Sequence, residues 1–148
     1  MELILWRHAD AENTIPDEDR RLTAKGHRQA ERMAIWLRER LPQDAHALSS
    51  PARRAQQTAQ ALTPKFRISS ALSTTATPQS VLKAASWPGG GGTLVLVGHQ
   101  PALGAAAALA LTGTATAWSF KKGAIWWLAY REPGDEVIVR AVMAPDML

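Results

Sequence analysis

The chain contains no cysteine, which excludes disulfide bridges and thiolate nucleophiles and fits a reducing compartment. Aromatic side chains are scarce: six tryptophans accompany one tyrosine and two phenylalanines. They do not interleave with basic residues as a base-stacking surface requires. No apolar run is long enough for a membrane span, since the longest, Ala102 to Leu111, is short and alanine-rich. The N-terminal run Leu3-Ile4-Leu5-Trp6 is shorter still and follows Glu2 instead of a basic head, so it does not read as a secretory signal. A lysine-rich tail is also missing, and the carboxylates form no cluster suited to a metal ion. These absences predict a cytoplasmic protein with no membrane or nucleic-acid partner, no metal and no cofactor.

With 148 residues, 46% of them hydrophobic and 20% charged, the composition is that of one globular domain spanning 1–148. The formal charge of +4 favours anionic ligands in general. The arginines are scattered over amphipathic stretches, and a solvated basic surface is the expectation.

The run Leu3 to Trp6 has the character of a buried strand, and it stops at Arg7-His8-Ala9-Asp10. In an open α/β sheet, ligands bind in the crevice beyond such strand ends. Ala11 to Arg21 holds Asn13, Pro16 and Asp17-Glu18-Asp19, a polar loop that should hang over that end. Thr23 offers an N-cap to a helix whose apolar positions Ala30, Met33, Ala34, Leu37 and Leu41 recur at helical spacing up to Pro42. Ala45 to Leu48 is consistent with a second strand.

Ser50 is expected to cap the next helix, with Pro51 at its first position, and the helix should run to about Leu62. Arg53 and Arg54 fall in the first turn. Cations are mildly unfavourable at that end of the macrodipole, so the pair there is better explained by a bound anion. Ile68 to Thr77 is ambiguous, and Pro78 to Trp87 reads as a short helix. The glycines Gly89 to Gly92 precede a strand and therefore read as a linker; a phosphate-cradling loop would follow one. Thr93 to Val97 is continuously apolar, as a central strand covered on both faces should be, and it ends at Gly98-His99-Gln100-Pro101. Pro101 opens an alanine-rich helix ended by Gly113. Gly123 to Tyr130 and Glu136 to Val142 flank the turn Glu132-Pro133-Gly134-Asp135 and predict an antiparallel hairpin at the sheet edge. Trp118, Trp126 and Trp127 read as packing residues. The fold class expected is α/β: a three-layer α/β/α sandwich with a mostly parallel central sheet and this C-terminal hairpin at its edge.

Strand ends and helix starts thus deliver Arg7 with His8, Arg53 with Arg54, and His99. Imidazoles and guanidiniums around one crevice suit a tetrahedral phosphate, because arginine forks add fixed charge and bidentate geometry.

Arg7-His8-Ala9 resembles the R-H-G signature of the histidine phosphatase (phosphoglycerate mutase-like) superfamily. Ser49-Ser50-Pro51 with Arg54-Ala55 and Gln57-Thr58-Ala59 is similar to its S-S-P-x-x-R-A-x-Q-T-A helix, and Val97-Gly98-His99 to the segment of its second histidine. The short chain, Leu22-Thr23, Gly26 and Gln29-Ala30 resemble the SixA-like phosphohistidine phosphatase branch. The resemblance implies a cofactor-independent phosphatase in which His8 is the nucleophile and is transiently phosphorylated. It places Arg7, Arg54 and His99 around the phosphoryl oxygens as catalytic and substrate-binding groups. It leaves Arg53 as a solvated neighbour. Ala9 departs from the usual glycine, which is tolerable if the backbone there is not at positive φ.

Alignment to the Arg-x-Leu-Thr step makes Asp17 and Arg20 the best choices for general acid and substrate contact, with surface solvation of Asp17-Glu18-Asp19 an equal alternative. The lack of a fixed acid favours an easily departing imidazole over an alkoxide. The implied substrate is therefore a phosphorylated protein, such as a histidine phosphotransfer domain. A small phosphorylated metabolite is the alternative on the same fold, and a non-catalytic phosphate-binding module is the alternative of another class.

Overall fold

Strand β1 (Glu2–Arg7) is buried along its length and sends alternate side chains to opposite faces of a sheet. Leu3 and Leu5 enter one apolar cluster, Ile4 and Trp6 another. The computed structural model describes all 148 residues, and its six strands lie in the order β3-β2-β4-β1-β5-β6. Strands β2 (His46–Ser49), β3 (Arg67–Ile68) and β4 (Thr93–Gly98) run parallel to β1, whereas β5 (Ile125–Arg131) runs antiparallel beside it and β6 (Glu136–Met143) closes the edge. The expected hairpin is therefore the edge pair β5–β6, and β4 is central between β2 and β1.

The two faces of β1 meet different helices. Helices α1 (Ala24–Arg38) and α2 (Arg53–Leu62) bring Met33, Ala34, Leu37, Ala55 and Ala59 against Ile4 and Trp6. Helices α3 (Pro78–Ala84) and α4 (Ala102–Thr112) bring Val81, Leu103, Ala106 and Ala107 against Leu3 and Leu5. This is the three-layer sandwich expected. Alanine dominates α4 because close packing on the sheet leaves room for little else. No helix is long and apolar enough to cross a membrane.

Several boundaries move, each for a local reason. Thr23 caps α1 as expected, accepting from the Gly26 amide, but the helix ends at Arg38, where Arg40 and Leu41 both turn back to the Leu37 carbonyl. Pro42 disfavours helical geometry at Leu41 and so shortens the last turn. Ser50 does not cap α2. The helix starts at Arg53 with Ala52 as its N-cap, because the Ser50 hydroxyl serves the Ala52 amide and His99 instead. Pro101 is the N-cap of α4, and Gly113 ends it at φ 79°, a left-handed C-cap where glycine carries no Cβ penalty. The short strand β3 at the other edge has no periodic signal in two residues.

Candidate active site

Arg7 is the last residue of β1, His8 follows it, Arg54 is the second residue of α2, and His99 follows β4. The parallel pairing of Arg7 with Gly98 aligns the ends of β1 and β4, so both histidines emerge at one end of the sheet. Their ring centroids are 5.1 Å apart at an interplanar angle of 57°. His8, Arg54 and His99 are 7%, 4% and 5% exposed, so all three polar side chains are held inside the protein where unpaired groups are costly.

Hydrogen bonds fix the state of His8. Its Nδ1 lies 2.8 Å from the Ala9 carbonyl, which can only accept, so Nδ1 carries the proton. Nε2 therefore keeps its lone pair, and the Arg54 Nε–H donates to it at 3.3 Å. Burial pushes the His8 pKa down to about 3, with the positive potential of His99, Arg54 and Arg7 acting in the same direction and the Ala9 hydrogen bond opposing them. His8 is a neutral imidazole whose Nε2 lone pair accepts from Arg54.

His99 is likewise neutral, its pKa lowered to about 4 by burial first and then by Arg54. Its Nε2 is 2.7 Å from Ser50 Oγ, which also accepts from the Ala52 amide at 3.1 Å. His99 Nδ1 is buried and has no hydrogen-bond partner. The Ser50 hydroxyl proton has only His99 Nε2 to go to, which leaves the proton of the neutral ring on Nδ1 as an uncommitted donor. Arg7 has the same character: one guanidinium nitrogen, Nη1, donates to the Phe120 carbonyl at 2.6 Å, while Nε is buried without a partner.

The loop after β1 closes over this cluster. Its 3₁₀ turn Asp17–Asp19 brings the Asp17 carbonyl to 2.7 Å from Arg54 Nη1 and the Asp17 carboxylate to 3.1 Å from Arg54 Nη2. Arg20 Nη1 holds the other carboxylate oxygen at 3.2 Å. Burial alone would raise the Asp17 pKa, but the hydrogen bonds from Arg54 and Arg20 outweigh it and hold the carboxyl below its ordinary value. Asp17 is an anion that accepts here. The arginine that the sequence places awkwardly at a helix N-terminus thus has an internal anion beside it.

Arg7, His8, Arg54, His99 and Asp17 come together, and Arg20 joins through Asp17. Arg53 does not take part; it is exposed beside Glu18 and Asp19. Ala9 is fully buried and is not at positive φ, so the side chain costs no backbone strain. Its amide donates to Thr58 Oγ1 at 3.1 Å, and Thr58 donates in turn to the Arg54 carbonyl at 2.8 Å, tying the β1 loop to α2. Sequence reasoning missed the partnership of Ser50 with His99 and the carbonyl of Phe120 under Arg7. A serine before a helix reads as a cap, and a backbone carbonyl carries no residue signal at all.

Residues 3–77 match the model of the histidine phosphatase superfamily, branch 1. No curated protein sequence matches the chain. Among solved structures, that of the protein histidine phosphatase SixA complexed with tungstate is similar at a TM-score of 0.85 and 24% identity, covering 99% of both chains. A protein from Agrobacterium tumefaciens assigned as phosphohistidine phosphatase SixA is 27% identical at a TM-score of 0.76, covering 97% of both. A phosphoserine phosphatase from Entamoeba histolytica in complex with phosphoserine is 16% identical at a TM-score of 0.72, covering 99% of this chain and 98% of that one.

Proposed function

The chain belongs to the histidine phosphatase superfamily, branch 1, and from that membership we propose that it is a phosphatase of protein-borne phosphohistidine. The observation that carries the reading is His8: a buried neutral imidazole whose Nδ1 proton is committed to the Ala9 carbonyl, so that Nε2 presents a lone pair. Nε2 attacks phosphorus in line with the scissile P–N bond. The substrate ring takes a proton from solvent on its other nitrogen, and a new N–P bond forms on His8 as the bond to that ring breaks and neutral imidazole departs. Water then displaces the phosphoryl group from His8. Its hydroxyl ends on phosphate, its proton returns to solvent, and His8 recovers its lone pair.

Arg7, Arg54 and His99 supply donors for the three phosphoryl oxygens, where preorganised positive charge contributes most to phosphoryl transfer. The buried, unpartnered Arg7 Nε and His99 Nδ1 are suited to this work. Arg54 is held by Asp17 and by His8 Nε2 until phosphate arrives; an oxyanion has to take the place of that carboxylate and draw the Arg54 Nε–H off His8, which frees the lone pair. The tungstate bound by the SixA structure is a tetrahedral oxyanion of the same kind.

Asp17 supports the choice of leaving group. An acid for an alkyl phosphate must hold a proton at neutral pH, and Asp17 is held ionised by Arg54 and Arg20. A phosphorylated imidazole takes its proton from solvent on the distal nitrogen and leaves as the neutral ring, whose conjugate acid has a pKa of about 6.5, without that help. The fold is shared with a phosphoserine phosphatase, so a small phosphate ester is the competing substrate. Turnover of phosphoramidate and of O-phosphoserine under the same conditions separates the two. Phosphoramidate is expected to exceed O-phosphoserine by roughly 100-fold or more in kcat/KM, the usual worth of a missing general acid. Equal rates, or a preference for the ester, would overturn the reading.

A further inference from the structure

Three exposed cations, Lys25, Arg28 and Arg32, stand at helical spacing on one face of α1, and none of them makes an ion pair. They line a shallow cavity of about 190 Å³ with Gln29, Pro145 and Asp146. Two more cations adjoin it. Lys121 reaches Asp146 at 2.7 Å and Lys122 reaches Asp10 at 2.9 Å. Five cations therefore face two side-chain carboxylates, those of Asp146 and Asp10. The patch keeps a local excess of positive charge.

Its position matters more than its charge. Both elements that carry it are clamped to the segment Arg7–Asp10. From α1, Gln29 Oε1 accepts from the Asp10 amide at 2.9 Å, and Thr23 Oγ1 donates to the Asp10 carboxylate at 2.7 Å. From the segment before β5, the Phe120 carbonyl holds Arg7, and the Gly123 amide donates to the His8 carbonyl at 3.1 Å. The basic face is thus rigidly attached to the nucleophile's own loop, outside the buried phosphate-binding groups. A small phosphate donor that fits between His8 and His99 has no need of it.

We propose that this face, Lys25, Arg28 and Arg32 with Lys121 and Lys122, is the docking surface for an acidic face of the phosphoprotein substrate, beside its phosphohistidine. The inference rests on the phosphohistidine reading above. Charge complementarity argues for the occupant: unpaired lysines and arginines retain their full hydration until an anionic surface meets them, and opposed patches raise the encounter rate and set the register.

The test uses the triple charge reversal Lys25→Glu, Arg28→Glu, Arg32→Glu and its milder counterpart with three glutamines, all at exposed positions. The probes are phosphoramidate and an acidic histidine phosphotransfer domain phosphorylated on its histidine. The reversal should lower kcat/KM on the phosphoprotein by about 10-fold or more at low salt, through KM, with the glutamine variant intermediate. Turnover of phosphoramidate should stay within about 2-fold of wild type. Wild-type kcat/KM on the phosphoprotein should fall as salt rises, and that dependence should flatten in the reversal variant.

Equal loss on both probes would overturn the proposal, because the patch would then act through the site itself. Unchanged kinetics on both probes would remove the docking surface and leave the phosphohistidine reading standing. If wild type hydrolysed phosphoramidate but not the phosphoprotein, both readings would fall together. Wild-type kinetics on the phosphoprotein with lost binding to a single-stranded oligonucleotide would assign the patch to nucleic acid instead.

Discussion

A nucleophilic imidazole must be neutral and must have its lone pair on the correct nitrogen, and His8 meets the two conditions by separate means. Burial keeps it neutral, and the Ala9 carbonyl selects the tautomer. In nitrogen-detected NMR, His8 and His99 should therefore remain uncharged from pH 8 down to about 5, with His8 protonated on Nδ1, whereas an exposed histidine titrates near 6.5. A midpoint near 6.5 for His8 would contradict this. Asp17 allows a second check. Because its carboxylate sits on Arg54, Asp17→Asn should bind inorganic phosphate about 3- to 10-fold more tightly by calorimetry, a modest factor because the carboxylate is more than half exposed. Weaker binding would mean that Asp17 helps to hold the oxyanion. At this scale the motif residues Arg7, His8, Arg54 and His99 were legible, since charged groups at strand ends have few structural reasons to be there. The ionisation and partner of Asp17 were not, because an Asp-Glu-Asp run has the same composition whether it faces water or an arginine.

Helix α1 reaches the Arg7–Asp10 segment through the absence of a side chain. A Cβ on Gly26 would lie 1.9 Å from the Asp10 carbonyl oxygen, so Gly26→Ala should push α1 off the Arg7–Asp10 segment. The expected cost is of the order of 2 kcal/mol or more in urea unfolding, with loss of phosphoramidate turnover. Gly89 has nothing within 4 Å of such a Cβ and does not lie at positive φ. Gly89→Ala should leave stability within about 0.5 kcal/mol and activity unchanged, in keeping with a connector that cradles nothing. If both variants behaved alike, the close approach of α1 would not matter to the site. The long periodic pattern of α1 and the continuous apolar run of β4 were readable, and so was the hairpin, whose turn has strong chemistry. Ser50 was misplaced because tertiary structure gave its hydroxyl a better partner in His99 than the free end of α2, and a cap preference cannot register that competition.

In the whole molecule, two neutral histidines are buried at the end of a sheet whose faces are both covered, and this links folding to pH. Unfolded, each binds a proton near pH 6.5; folded, they do so only near about 3 and about 4. Below pH 6.5 the unfolded chain therefore holds more protons, so their contribution to stability is complete above 6.5 and is lost as pH falls toward the folded values. The melting temperature should decline from pH 7 to 5, and His99→Gln should flatten the slope; an unchanged slope would place the acid sensitivity elsewhere. The layered architecture was legible as a whole because alternating strands and helices ending in a hairpin leave few arrangements. The gathering of Lys25, Arg28, Arg32, Lys121 and Lys122 was not, because it joins residues about a hundred positions apart that read as scattered cations. Everything chemical in this account passes through His8 Nε2, so the most direct measurement is to quench the enzyme in base during turnover of phosphoramidate and locate the phosphate by mass spectrometry. Acid-labile, base-stable phosphate on His8, with none formed by His8→Ala, is the predicted result. Phosphate on another residue, or turnover by His8→Ala at the wild-type rate, would contradict it.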